Sequence, residues 1–165
     1  MKNSLDHLAA CLSEKEEILE KLVLLLDRER SRIVELDTVG IEEERENKLS
    51  LVARLGQAKI SCKKSLEEVS GELGLPRDST LSVLVGAIDP SRRAGLSESR
   101  RKLMELIDAL NRSNRCNRDL LYGSLRMVNR SLEFFNNTLD SPKTYSGAGR
   151  MVSSVSGGRL VRGEI

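Results

Sequence analysis

The longest hydrophobic pattern in the chain runs from Leu96 to Leu139. Apolar residues recur there in steps of three and four, without proline and with Gly123 as the only glycine, which predicts one long amphipathic helix. At 1.5 Å per residue this helix would be roughly 65 Å long, too long to be wrapped by a compact domain, so we expect it to lie along other long helices. The predicted stripe consists of Leu103, Ile107, Leu110, Asn114, Asn117, Leu121, Leu125, Val128, Leu132, Phe135 and Leu139.

A heptad repeat occupies the first 36 residues. Apolar residues fill most of its a and d positions, as in a coiled coil, and further apolar neighbours widen the stripe. A wide stripe favours a helix of a bundle over one strand of a two-stranded coiled coil. The repeat consists of Leu5, Leu8, Leu12, Leu19, Leu22, Leu26, Ile33 and Leu36.

A second long helix is predicted from about Gly40 to Leu73. The residues 37–40 form the predicted joint, because Asp37 or Thr38 can cap a new helix and Gly40 weakens one. The early part of this helix is strongly charged, so we expect it to meet the first helix only loosely. Gly74 and Pro76 end it, since glycine serves as a C-cap and proline cannot continue the helix.

A short apolar segment lies between the second and third long helices. It contains Leu81, Val83, Leu84, Val85 and Ile88. Asp78 or Ser79 can cap it, and we interpret it as a short, largely buried helix. Its β-branched residues leave a strand as the alternative. A loop marked by Asp89, Pro90 and Gly95 follows, and Ser97 is the expected cap of the long helix.

The character of the chain changes after Leu139. Residues 140–165 contain five glycines, five serines and one proline among scattered apolar residues, too few apolar residues to offset the entropy of ordering. We therefore predict a helical bundle over residues 1–139 and a flexible tail over 140–165 that folds on binding. The fold class is all-α: an elongated antiparallel bundle or coiled coil of three long helices and one short helix.

The composition agrees with a helical bundle. The chain has 165 residues, of which 39% are hydrophobic and 32% charged, as is typical of bundles and coiled coils. Its net charge of +2 gives no general attraction to nucleic acid or anionic lipid. No apolar run is long enough to cross a bilayer, and no signal segment precedes the first helix. We expect a cytoplasmic protein without stable membrane insertion.

The sequence supports no enzyme class and no cofactor. His7 is the only histidine, and no motif supports a catalytic triad around it. The run of glutamates at residues 42–46 lacks the Glu-x-x-His element of carboxylate-bridged metal sites and is interpreted as a solvated helix start. Cys11, Cys62 and Cys116 are widely spaced, and we expect buried small hydrophobes or inert surface thiols rather than metal ligands.

Three features of the long helix leave alternatives open. Asn114 and Asn117 either form a polar layer inside the bundle or mark its end. The apolar face from Leu121 to Leu139 is either core, which the pattern alone favours, or an exposed wall for an amphipathic client helix. The arginines are more simply a solvated face than a nucleic-acid site, because no aromatic residues interleave for base stacking. These arginines are Arg112, Arg115, Arg118, Arg126 and Arg130.

This layout resembles the FlgN family of flagellar export chaperones. The resemblance spans nearly the whole chain. Its motifs are the segment Leu24 to Arg30, the residues Glu43, Glu44, Glu46, Asn47 and Lys48 ahead of Leu51 and Leu55, the stop Leu73, Gly74 and Leu75, the pair Asn111 and Asn114, and the tail from Thr144 to Gly149.

The resemblance implies a cytoplasmic protein that binds hook-associated junction proteins through their C-terminal helical segments. It further implies that the chaperone prevents premature assembly and delivers these clients to the flagellar type III export gate. By the same analogy, Tyr145 contacts client or gate, and the client-binding residues are Leu121, Leu125, Val128, Leu132, Phe135 and Leu139. The alternative is a coiled-coil scaffold or adaptor that self-associates through the first helix, for example as a homodimer.

Overall fold

The computed structural model describes residues 2–139, 143–145 and 151–153. In this part of the chain it contains the helices α1 Lys2–Glu35, α2 Thr38–Glu72, α3 Leu81–Ala87 and α4 Pro90–Leu139, and the strands β1 Lys143–Tyr145 and β2 Met151–Ser153. The predicted all-α class, with three long helices and one short one, is confirmed. The chain forms two compact units, Met1–Leu120 and Leu121–Ile165. No helix among the described residues combines the length and the apolar character needed to span a membrane.

The joint between α1 and α2 lies where the sequence predicts it. The backbone N–H of Asp37 donates to the carbonyl of Arg32 at 3.0 Å, and that of Leu36 donates to the carbonyl of Ile33 at 3.2 Å. Leu36 has a φ of 56°, so α1 ends in a Schellman motif with a leucine at the left-handed position. The Asp37 carboxylate then accepts from the N–H of Gly40 at 2.9 Å and caps α2.

The helices α1 and α2 run antiparallel. The Ser4 hydroxyl donates to Glu72 at 2.5 Å, and Arg28 pairs with Glu44 at 2.9 Å toward the opposite ends of both helices. The charged start of α2 is therefore held to α1 rather than loosely placed, which corrects the prediction. Glu44 is buried, and a buried carboxylate requires the countercharge that Arg28 supplies.

Within the first unit, α4 runs parallel to α1. Arg92 lies 3.6 Å from Asp6, and Lys102 lies 2.8 Å from Glu20, so the paired positions advance in the same direction along both helices. The helix α2 is consequently antiparallel to both of them. The connection through α3 returns the chain from the end of α2 to the start of α4.

The heptad positions of α1 supply most of the core of the first unit. Buried apolar residues of α1 include Leu8, Leu12, Leu19, Leu22, Leu26 and Ile33. Of these, Leu8, Leu12 and Leu19 pack in one cluster with Cys62 and Val69 of α2, Leu84 of α3 and Leu96 and Leu103 of α4. Leu22 packs in a second cluster with Ala58 of α2. The last position of the predicted repeat, Leu36, is 69% exposed because α1 has already ended at Glu35.

The end of α2 follows the prediction, whereas α3 differs in detail. Gly74 has a φ of 69°, and the N–H of Leu75 donates to the carbonyl of Ser70 at 2.8 Å, which completes a Schellman motif. The cap of α3 is Thr80, whose hydroxyl accepts from the N–H of Val83, and not Asp78 or Ser79. Within α3 only Leu84 is buried, so this helix is less buried than predicted.

The helix α4 begins before its predicted start at Leu96. Pro90 is its first residue, and the carbonyl of Asp89 accepts from the N–H groups of Arg92 and Arg93. Proline suits the first helical position because its fixed φ is already helical and its missing N–H would be unsatisfied there anyway. The predicted loop at Pro90 and Gly95 is therefore helical, and Ser97 is not the cap.

The second unit contains the last turns of α4 and a two-stranded antiparallel sheet. Lys143 pairs with Ser153, and Tyr145 pairs with Met151. The sequence did not predict these strands, since three residues are too few for an alternating pattern to be recognised. The remainder of residues 140–165 lies outside the described residues, and the flexible tail stays a prediction there.

Candidate protein-binding face

A buried amide marks the last inward layer of α4 in the first unit. Asn117 is buried, and its side-chain N–H groups donate to the carbonyl of Leu26 at 2.7 Å and to the carboxylate of Glu29 at 2.9 Å. Its side-chain oxygen accepts from Nε of Arg30 at 3.2 Å. Asn114 is exposed. Of the two asparagines, therefore, only Asn117 forms the polar layer.

The layer around Asn117 joins three helices. Glu29 of α1 is buried and also pairs with Lys48 of α2. Because the carboxylate has a cation on one side and an amide donor on the other, its burial is compensated. The same side chains fix the register of α4 against α1 and of α2 against α1.

The large apolar residues from Leu121 to Phe135 are exposed. Five of the six predicted client-binding residues have exposed fractions between 43% and 58%. The interpretation of these residues as core is therefore wrong, and the exposed alternative is the one observed. We call them the exposed face: Leu121, Leu125, Val128, Leu132 and Phe135. The sixth predicted residue, Leu139, has a side chain that lies outside the described residues.

The exposed face continues a buried side of the same helix. At about 100° per residue, its five members fall within an arc of roughly 80°, and Leu103, Leu110 and Asn117 fall on that side too. Leu103 and Asn117 are buried, and Leu110 packs partly buried against the core. Ile107 and Asn114, which the sequence placed in the inward stripe, are exposed. This helical side is thus partly covered in the first unit, at Leu103, Leu110 and Asn117, and exposed from Leu121 to Phe135.

Three further large side chains are exposed on other sides of this part of α4. Tyr122, Met127 and Phe134 are at least 60% exposed. The rings of Phe134 and Phe135 contact edge to face, with centroids 5.9 Å apart. None of the three belongs to the predicted stripe, although Met127 and Phe134 are separated by one heptad, which is a detectable signal. The accessible apolar surface is therefore broader than the predicted stripe.

The five arginines from Arg112 to Arg130 are all exposed, as the solvated-face interpretation expects. Two of them, Arg126 and Arg130, line a surface depression together with Met127 and Phe134. Their charges border the apolar side chains rather than forming a track with interleaved aromatic rings. This arrangement suits an apolar protein segment better than a nucleic-acid strand.

The backbone of Tyr145 lies in β1, and its side chain lies outside the described residues. The proposed contact of Tyr145 with client or export gate therefore has no side-chain geometry to describe. Its strand is paired along one edge with β2. The position of Tyr145 as a tail contact stays a prediction.

The remaining candidate residues form no catalytic arrangement. His7 Nδ1 lies 2.7 Å from the Ser65 hydroxyl and 3.9 Å from Cys11 Sγ. Cys62 is buried, and burial raises the pKa of its thiol, so this cysteine is protonated and a poor nucleophile. Among the described residues, no group of three or more His, Cys, Asp or Glu side chains could hold a metal ion.

Comparison with known proteins gives one match. The family model described as FlgN protein matches residues 1–153, a range that includes all four helices and both strands. Comparisons with curated proteins and with solved structures give no significant match. The match therefore rests on the pattern of a whole family rather than on similarity to an individual protein.

Proposed function

Because the chain belongs to the FlgN family, whose members are flagellar export chaperones, we propose that it binds hook-associated junction proteins before their export. The single observation that supports this proposal most is the exposed face, five large apolar side chains on one side of α4. In water such a surface is unfavourable, and a partner that covers it gains the corresponding hydrophobic free energy. In this proposal the partner is a C-terminal helical segment of the client.

The mechanism follows from the size of that gain. Each side chain of the exposed face is about half exposed, so covering it contributes about 1 kcal/mol. Five such contributions roughly match the cost of ordering a disordered client segment, about 2–5 kcal/mol. Binding is therefore reversible. A competing receptor at the export gate can then displace the client without nucleotide hydrolysis by the chaperone.

Covering the client segment also explains how premature assembly is prevented. A segment held in helical form against the exposed face cannot make its apolar contacts in a growing filament. We place this reaction in the cytoplasm, before export. Tyr145 is proposed as an additional contact to the client or to the gate. Delivery to the gate completes the proposed role.

Co-expression with hook-associated junction proteins tests the proposal directly. The chain should copurify with a junction protein, and Leu132→Asp should abolish the complex because it places a charge in the centre of the exposed face. Asn129→Asp is the matched control: it adds the same charge to an exposed position of the same helix, outside the face. Both variants should keep the helical circular dichroism of the parent. A complex that survives Leu132→Asp, or is lost equally with Asn129→Asp, contradicts the proposed site.

The scaffold alternative has less support. It requires the heptad positions of α1 for self-association, and the structure buries these positions against α2 and α4 within one chain. A homodimer formed through the exposed face would instead compete with the client. Sedimentation of the chain with and without a junction protein separates the two: a stable homo-oligomer that does not bind the client would favour the scaffold.

A further inference from the structure

The turn between α1 and α2 carries three exposed apolar side chains. Val34, in the last turn of α1, is 67% exposed, Leu36, in the joint, is 69% exposed, and Val39, in the first turn of α2, is 70% exposed. We call these three residues the turn patch. They belong to the first unit and share no residue with the exposed face.

The fold itself does not account for the turn patch. Leu36 has a φ of 56°, a left-handed conformation in which a leucine is strained and glycine is favoured at the end of a helix. Its exposed side chain recovers little of that strain through burial. Val34 and Val39 are β-branched, which lowers helix propensity at exposed helical positions. Three apolar side chains thus lie exposed within six residues of the chain, where intramolecular energetics favour other residues. Burial against a partner is a physical reason to keep them there.

The charges beside the turn patch are mainly negative. Val39 lines a surface depression with Glu42, Glu43 and Glu46. Arg45 pairs with Glu42 and Glu46. In the part of the chain that the structure describes, no ion pair neutralises Glu43, nor does one neutralise Glu35, which adjoins both Val34 and Leu36. The apolar patch therefore has carboxylates at its edge that are available to a cationic partner.

We propose that the turn patch docks an amphipathic helix of a partner protein that carries lysine or arginine residues beside its apolar side. The apolar residues of that helix cover Val34, Leu36 and Val39, and its basic residues pair with Glu35 and Glu43. Charge complementarity of this kind increases the rate of association and fixes orientation more than it raises affinity. The inference is independent of the client contact, because it concerns other residues in the other unit.

The charge pattern argues against the other possible occupants. Anionic lipid and nucleic acid are repelled by the carboxylates at the edge of the patch. A symmetric dimer of this chain would place each patch against itself, so that Glu43 of one copy faces the acidic edge of the other. Among these occupants, only a basic partner is attracted by the carboxylates of Glu35 and Glu43.

The experiment uses the full chain labelled with nitrogen-15 and a synthetic amphipathic helical peptide of leucine and lysine as the probe. A leucine and glutamate peptide of the same pattern is its charge-reversed control. We expect the amide resonances of residues 34–46 to shift with the basic peptide and not with the acidic one. A response confined to residues 121–135, or no response to the basic peptide, overturns the proposal.

Two variants separate the apolar and the charged parts of the contact. Leu36→Gly removes one apolar contact and relieves backbone strain, so affinity for the basic peptide falls by roughly fivefold without loss of stability. Glu43→Gln weakens binding at low salt, and the difference from the parent disappears at high salt because the charge is exposed. The matched controls are Val52→Ser and Glu17→Gln, exposed positions away from the patch, which should leave the affinity unchanged.

Three further outcomes contradict the proposal. Unchanged affinity in Leu36→Gly excludes the turn patch as the contact. Shifts of residues 34–46 that depend only on the concentration of the chain identify a second copy as the occupant, and shifts caused by phosphatidylglycerol vesicles identify a membrane. If the turn patch does not bind the basic peptide, the test of client binding with Leu132→Asp is unaffected. The two proposals are therefore tested independently.

Discussion

Asn117 of α4 donates its side-chain amide to the buried carboxylate of Glu29 on α1, at 2.9 Å. Glu29 in turn pairs with Lys48 of α2, so this one contact belongs to a layer that crosses the whole first unit. Polar layers of this type fix helix register, because any slip separates a buried amide from its partners. The register of α1 against α4 therefore depends on a polar group rather than on the apolar stripe alone.

Removing the amide should destabilise the fold markedly. Asn117→Ala deletes the donors to Glu29 and to the carbonyl of Leu26 and should lower the free energy of unfolding by about 2–3 kcal/mol. Asn114→Ala, one helical turn earlier and exposed, has the same gain in helix propensity and should change stability by less than about 0.5 kcal/mol. Urea denaturation of both variants measures the difference. Equal effects would show that the layer contributes nothing specific.

The cap of α2 should make stability depend on pH. The hydrogen bond from the N–H of Gly40, and next the nearby Arg32, lower the pKa of Asp37 in the folded chain. A lowered folded pKa contributes stability that is fully present above the unfolded pKa of about 3.9 and is lost as pH falls through the folded value. Asp37→Asn keeps a capping side chain without this charge. The parent should therefore melt at a higher temperature than the variant at neutral pH, and the two melting temperatures should converge in acid.

A control substitution separates the cap from the general effect of acid. Asp108→Asn removes a carboxylate at an exposed position inside α4. Its melting temperature should follow that of the parent across the same pH range. If Asp37→Asn and Asp108→Asn give the same pH profile, the stabilisation attributed to the cap is refuted.

Leu36 offers a substitution to glycine that should stabilise the chain. Leu36→Gly relieves the left-handed strain at the end of α1, which outweighs the extra entropy of glycine in the unfolded chain, so the free energy of unfolding should rise by about 0.5–1 kcal/mol. Leu24→Gly makes the same exchange at an exposed position inside α1 and should lower stability by about 1 kcal/mol. Chemical denaturation gives both values. A loss of stability in Leu36→Gly would mean that its side chain makes a contact worth more than the strain.

The sequence predicts most of the first unit because local signals and core burial agree there. All the predicted heptad residues that lie within α1 are buried. The ends of α1 and α2 follow the residues Asp37, Gly40 and Gly74. The predicted start of α4 is too late because a proline can either break a helix or begin one. In the structure Pro90 begins α4, and the carbonyl of Asp89 accepts from the first backbone N–H groups of the helix.

The charged contacts between helices could not be predicted from periodicity. Arg28 and Glu44 lie on different helices, and a helical pattern shows which side a charge occupies but not which residue it meets. For the same reason the charged start of α2 was expected to be loose. Lys48 and Glu29 are a second example. Lys48 occupies a position of α2 where an apolar residue is expected, and it pairs there with Glu29 of α1.

At the candidate site, periodicity likewise shows which side of α4 is apolar but not whether that side is covered. Spacing identifies the side of α4 that is apolar, and it gives the same signal for Leu103, which is buried, and for Leu132, which is exposed. Whether a face is covered depends on where the other helices end, and that is a property of the whole fold. The sequence therefore predicts that the client-binding residues share one face, whereas only the structure shows that this face is exposed.

Truncation to alanine should affect stability at the buried part of this helical side and client binding at its exposed part. Leu103→Ala leaves a cavity in the core and should lower the free energy of unfolding by about 2–5 kcal/mol. Leu125→Ala removes an exposed side chain and should change stability by less than about 0.5 kcal/mol, yet it should weaken binding of a junction protein by roughly tenfold, because the client loses an apolar contact. Urea denaturation and a binding titration with the purified junction protein measure the two effects. If Leu125→Ala destabilises the chain as much as Leu103→Ala does, the face is already covered within the chain and is not free for a client.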